Sequence, residues 1–122
     1  MSPIQMSKLE SAIRIVLEFN EAFNRHDVSA MRKLISKDCV FESTSPAPAG
    51  SKYTGKESIT QYLQDLFTDA PKAKMEIEEA FGMGNRCIMR WKYIAGEGHV
   101  RGVDLFQVKE GYISERLSYA KE

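Results

Sequence analysis

A chain of 122 residues with 43% apolar side chains is long enough for one domain whose core needs no disulfide or metal staple. Its 17 basic and 17 acidic side chains cancel, which argues against nucleic acid or an anionic membrane as a partner, since both require a basic face. No apolar run approaches the roughly 18–20 residues that span a bilayer, and residues 1–7 lack the apolar centre of a signal peptide, so the expectation is a soluble, cytoplasmic protein.

Ser7-Lys8-Leu9-Glu10 has the form of a capping box, and Leu9, Ala12, Ile13, Val16, Leu17, Asn20 and Phe23 then recur at helical spacing. Asn24-Arg25-His26-Asp27 interrupts that pattern. Asp27 is placed to cap a second, shorter helix with Val28, Met31, Leu34 and Ile35 on its face, and His26 reads as a surface residue. Residues 39–43, Cys39-Val40-Phe41-Glu42-Ser43, form a short strand by residue type. Residues 43–55 hold Pro46, Pro48 and Gly50 with no periodicity and read as a surface loop of the kind that borders a site.

Thr54-Gly55-Lys56-Glu57 has the form of a second capping box, launching Ile59, Tyr62, Leu63, Leu66 and Phe67 as a third amphipathic helix that stops before Pro71. Residues 74–81 alternate as a strand, with Met75 and Ile77 on one side and Glu76 and Glu78 on the other, and Gly82-Met83-Gly84-Asn85 turns the chain. Residues 86–93, 100–108 and 113–119 are three further β-rich runs, separated by Gly96 and Gly98 and by Glu110-Gly111, and they read as an antiparallel meander. Helices first and consecutive strands last predict a single α+β domain over residues 1–122, with three helices packed on one face of a curved antiparallel sheet. A cavity left between helices and sheet is the natural ligand site. Cys39 and Cys87 fall in apolar runs without metal or redox spacing and read as two reduced core thiols.

Asp104 stands among Val103, Leu105, Phe106 and Val108, where a carboxylate is costly unless something pairs with it. Alternation alone leaves its direction open, because both faces of that strand read apolar. With Asp104, Phe106 and Val108 inward, Val103 and Leu105 point outward and need a partner, which predicts a homodimer through the back of the sheet. With Val103 and Leu105 inward, Asp104 is an ordinary surface carboxylate.

The element order, with Phe23-Asn24-Arg25-His26-Asp27, Tyr53-Thr54-Gly55-Lys56-Glu57-Ser58-Ile59, Arg101-Gly102-Val103-Asp104-Leu105-Phe106 and Gly111-Tyr112-Ile113-Ser114-Glu115, resembles the nuclear transport factor 2-like superfamily, nearest its SnoaL-like and ketosteroid-isomerase-like branches. The resemblance covers residues 9–119 and implies a cone-shaped α+β fold. It names the fold far better than the function, since that fold hosts isomerases, cyclases, dehydratases, epoxide hydrolases and proteins without chemistry.

Residue by residue, Asp104 matches the strand aspartate of the ketosteroid isomerases, and Trp91 falls where they carry a pocket aromatic. Phe19 stands for their helix-one tyrosine and cannot donate, while Ser43 stands for their catalytic base and has no carboxylate. For the epoxide hydrolases, Arg86 could match the arginine, but Ile88 and Ser118 occupy the carboxylate positions. What the resemblance then implies is a cofactor-independent isomerase, cyclase or lyase of the SnoaL type, moving a proton beside a carbonyl with Asp104 as acid or base. The alternative is a non-catalytic member that binds a hydrophobic ligand or simply dimerises, and the unmatched Phe19 and Ser43 favour it.

Glu115 is the auxiliary acid if Ile113, Glu115, Leu117 and Tyr119 share the inner face. Its plainer reading is a solvated position or an ion pair. Met89, Trp91 and Tyr93 alternate on one side of their strand and, with Phe19, Tyr53, Phe106 and Tyr119, make the expected pocket for a small hydrophobic or carbonyl-containing ligand. Phe81 is a further candidate for the aromatic wall. His99, after a glycine turn, is a weaker candidate base. No metal, phosphate-loop or other cofactor signature is present, so no cofactor is expected.

Overall fold

The computed structural model describes residues 3–121, with side chains described over residues 12–121. Helix α1 (Pro3–Asn24) begins ahead of the first capping box, so Ser7, Leu9 and Glu10 lie within it and their side chains are outside the described residues. Ala12, Val16, Phe19, Ala22 and Phe23 form its buried stripe, whereas Leu17 lies at the stripe's edge and is exposed. Asn24 ends the helix by pairing with a strand. Its Oδ1 accepts from the Met75 N–H at 2.7 Å and its Nδ2 donates to the Met75 carbonyl at 3.0 Å. His26 is part-buried rather than a surface residue: with φ of 57° it turns the chain, stacks on Phe67 at 4.2 Å and donates from Nε2 to the Ala73 carbonyl at 2.7 Å.

Asp27 Oδ1 accepts from the Ala30 N–H at 3.0 Å and caps α2 (Val28–Leu34), as its position predicts. Strand β1 (Ile35–Ser43) starts directly from α2. Within the segment read as a loop, β2 (Ser51–Thr54) pairs antiparallel with β1, a strand too short and too polar to show alternation. Helix α3 (Lys56–Asp69) starts after Gly55, which holds φ of 94° and gives no side-chain cap. The second capping box is therefore not formed: Thr54 is taken up in β2, and Glu57 pairs with Arg32 of α2.

Strands β3 (Lys74–Met83), β4 (Arg86–Ala95), β5 (Gly98–Lys109) and β6 (Tyr112–Lys121) form the expected meander through two-residue turns. The sheet order is β2-β1-β6-β5-β4-β3, and the β1–β6 pair is parallel. The sheet is thus mixed, not antiparallel. A parallel pair needs a long crossover, and here everything from β2 to β5 separates the two strands, so no local turn signal reports the pairing.

The helices cover one face, where Phe41, Cys87, Met89, Trp91, Phe106 and Ile113 meet Val16, Phe19, Ile59 and Leu63. Among the described residues, no helix packs on the opposite face. Across it runs one apolar row, Phe81, Ile88, Leu105 and Leu117, in register from β3 to β6. Among the described residues, no helix is long and apolar enough to cross a membrane.

Candidate functional site

Asp104 lies on the helix-covered face, paired across the sheet with Met89 of β4 and Ser118 of β6, and only 2% of it is exposed. The Trp91 Nε1–H donates to its Oδ1 at 2.8 Å, and the Ser118 hydroxyl donates to the same carboxyl. Burial pushes the Asp104 carboxyl above the usual carboxylate range, opposed by the nearby Arg116 guanidinium and by the two hydrogen bonds. A glycine makes this arrangement possible. Gly102 pairs opposite Trp91, and a Cβ built there would stand 2.3 Å from Trp91 Cζ2. The indole therefore lies flat over the β5 backbone and reaches the acid two residues further on.

Arg116 is the residue that sequence reasoning missed. It is 8% exposed, its guanidinium carbon sits 4.2 Å from the centroid of the Phe41 ring, and its Nε is buried with no hydrogen-bond partner among the described residues. It faces inward because β6 carries a bulge. Gln107 pairs with Glu115 and Val108 with Ile113, which leaves Ser114 as an extra residue whose hydroxyl donates to the Gln107 carbonyl at 3.1 Å. Past that point the alternation is reset: Ile113, Arg116 and Ser118 face in, while Glu115, Leu117 and Tyr119 face out.

Two expected site residues are corrected by that bulge. Glu115 does not share a face with Asp104; it forms an ion pair with Arg86 at 3.2 Å, both partners solvent-accessible. Tyr119 is 51% exposed on the uncovered face. Phe81 is exposed there too, for a different reason: a bulge in β3 between Ile77 and Glu79 shifts the strand, and Phe81 pairs with outward Ile88. His99 is also exposed, opposite Ile94 at the end of its hairpin.

The remaining wall residues divide into two groups. Phe19, Met89 and Phe106 line a small cavity with Asp104, Arg116, Asn20, Val16, Phe23 and Met75. Phe19 packs edge-on against Phe41 at 5.9 Å and Phe106 at 6.5 Å. Trp91 bounds the acid from the side. Tyr93 lies further along β4, edge-on to Phe23 at 6.4 Å, and burial raises its phenol above the ordinary value. Tyr53 stacks on Tyr62 at 4.4 Å beside a shallow surface depression, away from the acid.

The cavity at Asp104 measures about 10 Å³. A wider open groove of about 1040 Å³ lies at the end of the sheet, bordered by Ile15, Asp38, Gln107, Tyr112 and Glu115, and shares no residue with it. The buried acid therefore borders the small closed space and not the open groove. Both cysteines are free and buried outside the lining of the closed space, with burial pushing the Cys39 thiol up to about 12 and Cys87 up to about 11, which keeps both as thiols at neutral pH. Among the described residues, no three His, Cys, Asp or Glu side chains are grouped to share a metal ion.

Residues 16–116 match the SnoaL-like domain family. A nuclear transport factor 2-like protein of unknown function from Mesorhizobium loti is 36% identical, with 94% of each chain covered and a TM-score of 0.83. A proposed ketosteroid isomerase from Kribbella flavida superposes with a TM-score of 0.83 at 15% identity, over 94% of this chain and 81% of that one. An LEH-like epoxide hydrolase of M. tuberculosis gives a TM-score of 0.75 at 20% identity, over 93% of this chain and 84% of the other. The last two likenesses carry the fold alone. No curated protein sequence matches the chain.

Proposed function

The chain belongs to the SnoaL-like domain family, and on that footing we propose that it moves a proton beside the carbonyl of a small ligand, without a cofactor, using Asp104. The observation that carries this reading is the buried acid itself: a carboxyl 2% exposed, held in place by Trp91 and Ser118. A carboxyl raised toward neutrality is a stronger base than a solvated one, and its protonated form persists nearer to neutral pH, so the proton it takes up stays on it for redelivery. In the ionised state Asp104 takes a proton from the carbon next to the carbonyl, the electron pair moves into the carbonyl oxygen, and the acid redelivers the proton at the same carbon or a conjugated one. Phe19, Phe106 and Met89 supply the apolar wall that keeps water from competing. In this reading a ligand enters by displacing side chains of α1, because ligand sites commonly need about 300 Å³ or more.

The test is hydrogen–deuterium exchange of a panel of small carbonyl compounds in D₂O, followed by NMR. Exchange beside the carbonyl is expected to be accelerated by the wild type and to fall about 100-fold or more in Asp104→Asn. Equal rates with both proteins would end the catalytic reading.

The cavity of about 10 Å³ favours a second reading, a non-catalytic module that works by self-association. Its occupant would be a second copy of this chain on the uncovered sheet face. The charges there pair within the chain, Arg90 with Glu79 at 3.0 Å and Arg86 with Glu115 at 3.2 Å, which leaves the row of Phe81, Ile88, Leu105 and Leu117 to meet its own copy. Sedimentation velocity is expected to find a dimer for the wild type and a monomer for Leu105→Glu. A monomeric wild type at tens of micromolar would remove this interface.

A further inference from the structure

The cavity beside Asp104 is the size of one water molecule, since about 10–15 Å³ is the least that holds one. A void of that size stays dry when its lining is apolar and is filled when two or more polar groups converge on it. Its lining includes the Asp104 carboxyl, the Asn20 amide and Arg116. Arg116 brings the decisive feature, a buried Nε–H with no acceptor among the described residues. The guanidinium is held over the Phe41 ring, so this donor cannot swing out to solvent without giving up that stacking. A buried donor left unpaired is rare in native proteins, and an ordered water is the usual partner where the protein offers none.

We propose that Arg116 and Asp104 form a site for a single oxygen atom, occupied by water in the resting protein, to which the Arg116 Nε–H donates and from which the Asp104 carboxyl accepts. The site deepens the proton-transfer reading and, in its second part, rests on it: a carbonyl ligand entering the cavity places its oxygen where the water was. The Nε–H then stabilises the negative charge that grows on that oxygen as Asp104 removes the neighbouring proton. Arg116 would thereby supply the donor that Phe19 cannot.

The experiment is done on the full wild-type chain by ¹⁵N-edited NMR of arginine side chains, with the Arg116 Nε–H assigned through its own carbons and checked by its loss in Arg116→Lys. The expected result is one slowly exchanging Nε–H with a direct dipolar cross-peak to water of long residence. Adding acetone or acetate as an oxygen-bearing probe is expected to shift that resonance and weaken the cross-peak. A protected Nε–H without a water cross-peak overturns the site, as does an Nε–H that exchanges at the rate of a solvated arginine. The two proposals fail separately: a water cross-peak without carbonyl exchange in D₂O keeps the oxygen site and removes the catalysis, and the converse removes only the site.

Discussion

Gly102→Ala is expected to destabilise the protein by about 3 kcal/mol, the upper end of what overpacking a core costs. The added Cβ would lie 2.3 Å from Trp91 Cζ2, 2.6 Å from Trp91 Cη2 and 2.6 Å from the Tyr119 carbonyl oxygen. One obstacle is a ring carried by β4 and the other is backbone of β6, so a shift of β5 away from one strand presses it into the other. The ring must yield, and with it goes the 2.8 Å bond from the indole to Asp104. Trp91 is the chain's only tryptophan, so its emission reports the displacement directly. Urea unfolding should give the lower stability, and the folded state should emit further to the red. A loss within about 0.5 kcal/mol, the range of an ordinary surface change, with unchanged emission would show that the indole is not wedged there.

The second large effect is on the pH dependence of stability. Burial raises the Asp104 carboxyl above its ordinary 3.8, against the opposing pull of Arg116, Ser118 and Trp91. The folded chain then holds this proton to higher pH than the unfolded chain does. The stabilisation from that group is complete below about 3.8, and it is lost as pH rises through the native value. Within that window the wild type should lose up to about 1.4 kcal/mol per pH unit. Asp104→Asn keeps the size of the side chain and an acceptor for Trp91 and Ser118 but cannot titrate, so its curve should lack this slope. Urea midpoints from pH 4 to 8 for the two proteins make the comparison. If the difference between them is the same at every pH, the carboxyl titrates alike in folded and unfolded chains, and the proton-transfer role loses its basis.

Much of the architecture was legible because the local signals agree with one another. The turn glycines at 96 and 111 fall between alternating runs, and the hairpins close there. Asp27 caps as its spacing predicts, and Pro71 lies just past the end of α3. Strand β2 escaped because it has four residues and one aromatic, and what makes it a strand is its pairing with β1. Asp104 could be singled out as an acid in an apolar strand, although its direction could not be read from a pattern apolar on both sides. Arg116 could not be singled out at all. Counting by twos from Ile113 places it in solvent with Ser114 and Ser118, and the single extra residue at Ser114 reverses the count.

Apart from β2, the order of helices and strands is written in local sequence, as are the hairpin turns and the presence of one costly carboxylate, because each of these is encoded within a few neighbouring residues. Three outcomes come from the assembled fold: β1 lies parallel to β6, Arg116 rather than Glu115 stands with Asp104, and the space beside them is the size of one water. Those outcomes depend on strand pairings between distant segments and on a one-residue bulge, and a shift of one residue exchanges the two faces of a strand.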